Sequence, residues 1–140
     1  MRNGTILALA LALSGCGKPF PPSVDKAWVR LPAVPGRPGA AYFTLQGGST
    51  DATLIAVDSP RLRKAELHES MAGGMRALPG VALPSNTTAT FAPGGRHVML
   101  FDLDPRLHPG ETVPLRFALA DGRELTAPAT VVGAADPAPQ

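Results

Sequence analysis

"GGRHVMLFDL", from Gly94 to Leu103, sets a histidine and a methionine two apart in an otherwise apolar run. Successive side chains of a strand point to opposite faces, so His97 and Met99 share one face while Val98 and Leu100 take the other. Beyond the initiator, the remaining methionines are Met71 and Met75 and the remaining histidines His68 and His108. All but His108 fall between Ala65 and Phe101. "ELHESMAGGMRAL" reads as two short strands around Ala72-Gly73-Gly74, a hairpin that brings His68 and Met75 together. With His97 and Met99, that makes two imidazoles and two thioethers, a neutral and soft donor set.

Thioether sulfur is a poor ligand for Mg, Ca or Mn and suits Cu(I), which also accepts imidazole. Zinc sites are built from Cys, His and carboxylate, so methionine points away from zinc. A blue-copper electron-transfer centre needs a cysteine ligand, and the one cysteine, Cys16, is claimed by the N-terminal segment. Thioethers need no deprotonation. The pH dependence of such a site rests on its imidazoles, and affinity is expected to fall below about pH 6.5. The competing reading is packing, since single methionines fill strand cores and single histidines hydrogen-bond within them. His108, in "DPRLHPGE", reads as solvated surface, and Met71 as either a spare sulfur or the exposed hairpin tip. Glu69 could orient His68 by a hydrogen bond or stand as a solvated edge carboxylate.

These residues need a rigid frame, and the composition supplies a β-rich one. Sixteen prolines and fifteen glycines leave little room for long helices. Nine strand-like runs follow: 27–30, 40–46, 53–59, 64–70, 75–78, 87–91, 97–102, 112–119 and 124–132. Asp121-Gly122 marks a hairpin between the last two. The pattern predicts an all-β, antiparallel β-sandwich. Trp28 and Tyr42 sit in strand-like runs and read as core. A net charge of +2, no basic run and 5% aromatic residues argue against nucleic acid as a partner. No paired acids and no nucleophile elbow mark a catalytic centre, so the chain reads as a binding protein and not an enzyme.

The N-terminus reads as a targeting segment: one arginine, an apolar stretch from Ile6 to Leu13, then small residues. That stretch is too short for a mature membrane span. Leu13-Ser14-Gly15-Cys16 resembles a bacterial lipobox, which implies cleavage before Cys16 and lipidation of its thiol. Residues 1–15 are then signal peptide, 16–24 a lipidated, Pro-rich tether, 25–133 the domain and 134–140 a flexible tail. The expected location is the periplasmic side of a bacterial membrane. Gly17 after the cysteine resembles an outer-membrane address in a Gram-negative host.

The same residues resemble the periplasmic copper chaperones of the PCuAC type. Their pattern is a His, ten residues, a Met, twenty-one residues, then His-x-Met, and 21 residues separate Met75 from His97 here. "AWVRLPAVPGRPGAAYFTLQ", "SPRLRKAELHES" and "FAPGGRHVMLFDL" resemble the family's flanks, so the likeness runs from Lys26 to Val132. It departs in one place: six residues separate His68 from Met75 instead of ten. Shortening each hairpin arm by two keeps side-chain parity. Either Met75 still completes the site, or Met71 does. The resemblance implies a cupredoxin-like or immunoglobulin-like Greek key binding Cu(I) through His68, Met75, His97 and Met99. It further implies delivery toward the CuA centre of cytochrome c oxidase, to an oxidase subunit or through a companion thiol copper protein. The rival readings are a structural or adhesive lipoprotein without metal, and a copper storage or detoxification protein.

Overall fold

The computed structural model of the chain describes Gly15 and residues 17–140. Residues 1–14 and Cys16, on which the signal-peptide and lipidation readings fall, lie outside the described residues. Ten strands follow in order: β1 (Ser23–Arg30), β2 (Gly39–Gln46), β3 (Ala52–Asp58), β4 (Lys64–Met71), β5 (Gly74–Ala77), β6 (Val81–Leu83), β7 (Thr88–Phe91), β8 (Arg96–Phe101), β9 (Thr112–Leu119) and β10 (Glu124–Val132). The all-β fold expected from the turn-rich sequence is the fold adopted.

The strands hydrogen-bond in the order β5-β4-β8-β2-β1-β10-β9-β3-β6. Every ladder is antiparallel except that of β1 with β10, where Trp28 lies beside Thr130 and Arg30 beside Val132 in parallel. The free edge of β2 is shared: Gly39–Ala41 pair with β8, and Phe43–Gln46 pair with β7. The sheet curls so that its two halves face each other across one core. The ring of Phe43 on β2 stacks on Phe91 of β7 at 4.3 Å and meets the edge of Phe117 on β9 at 4.8 Å between centroids. Around them lie Val29, Leu45, Leu54, Leu67, Val98, Leu100, Leu115 and Val131, all buried.

Local chemistry explains several elements. β9 alternates strictly, burying Val113, Leu115, Phe117 and Leu119 while the residues between them face outward. Pro114 and Pro128 stand opposite each other in the β9–β10 ladder. Pro114 precedes the segment of β9 that pairs with β3, and Pro128 precedes the segment of β10 that pairs with β1. Their missing N–H groups therefore fall on sides with no ladder to feed. β1 is longer than its sequence run, starting at Ser23 instead of Ala27, and shifts register between Asp25 and Trp28, where Lys26 takes φ 51°. That bulge breaks the alternation from which the strand was read. β6, only three residues between Pro79-Gly80 and Pro84, carries too short a pattern to be read from sequence.

Both ends of the domain are tied down. Phe20 exchanges hydrogen bonds with the Ser49 side chain at 3.0 and 3.1 Å, so the predicted tether is anchored before β1 begins. After β10, the Asp136 carboxylate accepts from the Gly133 N–H at 2.7 Å, and its carbonyl accepts from the Arg30 guanidinium at 3.1 Å.

Candidate metal centre

The outer face of β5, β4, β8 and β2 gathers the soft donors. His68 stands directly opposite His97 in the antiparallel β4–β8 ladder, and Glu66 stands opposite Met99. Directly opposed residues share a face, so Glu66, His68, His97 and Met99 form one compact patch. The two imidazole rings lie 5.9 Å apart between centroids and tilt by 34°. Val98, Leu100 and Leu67 point the other way and are buried in the core. Neither Met75 nor Met99 packs into that core, and His97, though buried, lies with His68 on the outer side of the β4–β8 ladder.

Met75 joins the patch through the β4–β5 hairpin. It pairs with Ser70, two residues beyond His68, and so lies on the same face. Met71 pairs with Gly74 and, by the same parity, projects from the opposite face. Both methionines are exposed, at 57% for Met75 and 52% for Met71. The turn that sets this register is Ala72-Gly73, with Gly73 at φ 86°, a conformation that glycine adopts without steric cost.

A groove of about 410 Å³ opens on this face, walled by Met75, His97, Met99, Arg30 and Tyr42 among others. Exposure falls from the rim inward: Met75 is exposed, Met99 half-buried and His97 buried. His68 lies beside the groove instead of in its wall. Tyr42 packs on Trp28 at 4.4 Å, and the Arg30 guanidinium caps Trp28 at 4.9 Å. Trp28 and Tyr42 are buried as expected, but in a separate small cluster with Val132 on this outer face.

Each imidazole is held by a hydrogen bond at one nitrogen. Nε2 of His68 lies 3.0 Å from Oε2 of Glu66, and Nδ1 of His97 lies 3.0 Å from the Gly95 carbonyl oxygen. The other carboxylate oxygen of Glu66 is bound by the Lys64 ammonium. Lys64, and then His68, hold the Glu66 carboxyl below its ordinary value. Glu69, the carboxylate that the sequence offered as a partner for His68, faces the other way. It accepts from Arg76 at 2.6 Å and sits 3.7 Å from Arg96. Glu66 was missed because sequence adjacency drew attention to Glu69, yet strand periodicity puts position i−2 beside His68 and position i+1 behind it. His108 is exposed in the β8–β9 connection, as expected.

Comparison with known proteins agrees with this architecture. The copper-bound PCuAC domain from PmoF2 superposes with a TM-score of 0.69 at 23% identity, over 84% of this chain and 97% of that domain. The solution structure of CuI-DR1885 from Deinococcus radiodurans gives a TM-score of 0.68 at 31% identity, over 86% of this chain and 84% of that one. The "Putative lipoprotein Lxx21020" of Leifsonia xyli subsp. xyli is 29% identical over 139 residues, spanning 87% of this chain and 83% of its own length. Residues 23–131, from the first strand into the last, match the family described as "Putative lipoprotein LpqE-like", and the chain belongs to that family.

Proposed function

We propose that the protein is an extracytoplasmic copper(I) chaperone whose cargo is held by His68, Met75, His97 and Met99. The observation that carries this reading is the convergence of two imidazoles and two thioethers on one face outside the core. Packing alone would disperse such residues through the interior. Among the described residues, no group of three or more His, Cys, Asp and Glu side chains is placed to hold a metal ion. A metal on this face therefore depends on sulfur from methionine, which selects the soft cuprous ion over Zn, Mg or Ca. A neutral donor set leaves the ion's charge uncompensated, and Met75 at the rim gives a partner access to it, as exchange requires. The relatives whose names carry copper, the PmoF2 domain and CuI-DR1885, support the assignment.

In this reading residues 1–15 are a cleaved signal peptide, Cys16 carries lipid and residues 16–24 tether the domain to the periplasmic side of a membrane. The lipoprotein descriptions of the family and of the Leifsonia relative support that placement. Delivery runs toward the CuA centre of cytochrome c oxidase, directly or through a thiol copper protein, and the protein carries out no catalysis of its own.

Competition for copper(I) against a chromophoric chelator under reductant tests the assignment. The wild-type chain is expected to take up one equivalent, and a His97→Ala, Met99→Ala double variant to bind at least about tenfold more weakly, which corresponds to roughly 1.4 kcal/mol. A wild-type chain that does not compete would return these residues to a packing role. Transfer of the bound ion to a CuA-type apo-domain separates a chaperone from a copper store.

A further inference from the structure

The two imidazoles of the patch are tethered in opposite senses. A carboxylate only accepts hydrogen bonds, so the His68 nitrogen that faces Glu66, Nε2, carries the hydrogen. In the neutral ring Nδ1 then holds the lone pair. That Nδ1 is buried and has no hydrogen-bond partner among the described residues. A buried acceptor without a donor bears an uncompensated desolvation cost, and an electrophile that reached it would relieve that cost. His97 shows the converse: the Gly95 carbonyl also only accepts, so Nδ1 carries the hydrogen and Nε2 is left with the lone pair.

Resting on the copper(I) reading above, we propose that Glu66 is a positioning residue, which holds His68 in its Nε2–H tautomer so that Nδ1 meets the ion, while His97 offers Nε2. The carboxylate is well placed for this task. It stands opposite Met99 in the β4–β8 ladder, and Lys64 binds its second oxygen, so both ends of the carboxylate are engaged. A carboxylate or carbonyl behind a ligating imidazole fixes tautomer and ring orientation and raises ligand basicity. Here both imidazoles have such a partner, one a side chain and the other the main chain. Substitution can remove the first and leaves the second in place.

The test is long-range proton–nitrogen correlation NMR of the full chain labelled with ¹⁵N-histidine, with and without copper(I), joined to the chelator competition. In the metal-free wild type, His68 is expected to show a protonated Nε2 and a bare Nδ1, and His97 the reverse. On loading, the Nδ1 signal of His68 and the Nε2 signal of His97 should move. Glu66→Ala should lose the single His68 tautomer and weaken copper(I) binding about 10–100-fold. Glu66→Gln keeps an oxygen acceptor and should restore the tautomer, with affinity within about tenfold of wild type. A bare Nε2 on His68 in the metal-free wild type overturns the proposal without reference to any variant's folding. Copper(I) uptake through Nε2 of His68, or undiminished affinity in a folded Glu66→Ala chain, overturns it and leaves the copper reading intact. A wild-type chain that takes up no copper(I) overturns both.

Discussion

Met71 and Met75 differ by only four positions, have nearly equal exposure and belong to one hairpin, yet they project from opposite faces of it. In a strand the parity of a residue decides what it can touch, and here it separates a sulfur beside His68 from one pointing away. Met75→Leu keeps volume and removes the sulfur. It is expected to lower copper(I) affinity about tenfold, roughly 1.4 kcal/mol, whereas Met71→Leu should leave it within about twofold. Chelator competition on the two variants side by side reads the difference. A larger loss at Met71 would mean that the hairpin rearranges around the ion. The shortened spacing from His68 to Met75 is thus compatible with one shared face, because an even number of residues separates this hairpin from the family's longer one.

At the scale of the element, the β4–β5 hairpin is held by its turn and by flanking charges. Glu69 accepts from Arg76 across the ladder at 2.6 Å, on the face away from the patch. This exposed pair contributes little to stability. The backbone of the turn matters more. A Cβ at Gly73 would meet open space, so its substitution is opposed only by the φ of 86°. Gly73→Ala should therefore cost about 1 kcal/mol through the left-handed backbone alone. Gly74, next in sequence, also faces open space and is not at positive φ. Gly74→Ala should be neutral or slightly stabilising, by up to about 1 kcal/mol, through a less flexible unfolded chain. Urea denaturation of the two variants separates backbone strain from any contact made by the methyl group.

The patch is positioned by the whole molecule, because the strands that carry it are pressed from behind by the core. Leu67 and Val98 lie on the inner side of β4 and β8, and the core they enter is closed from the opposite half of the sheet by Phe117 against Phe43. Phe117→Ala should destabilise the domain by about 3–5 kcal/mol, through lost burial and the cavity left behind. That is a large part of the 5–15 kcal/mol typical of a folded domain. Trp28, the single tryptophan, is buried on the outer face and gives a fluorescence signal for this unfolding. A loss below about 1 kcal/mol would show that the two halves of the sheet relax onto each other.

Taken alone, the amino-acid sequence determined the class of fold and most of the strands, and it singled out the histidines and methionines that the fold gathers on one face. Period-two alternation and turn residues are local signals, and they survive without knowledge of any partner strand. The shared face of His97 and Met99 follows from the same periodicity, as does the hairpin that carries His68 and Met75. Beyond the β4–β5 and β9–β10 hairpins, which strands lie side by side was not legible there. The register that sets His68 against His97 and Glu66 against Met99 joins segments about thirty residues apart, and it is chosen by burial of the inner faces of β4 and β8. The bulge in β1, the three-residue β6 and the parallel seating of β10 beside β1 likewise arise from pairing, not from local pattern. The carboxylate that holds His68 is decided in the same way: Glu66 and Glu69 are both near in sequence, and only the folded ladder gives one to the imidazole and the other to two arginines.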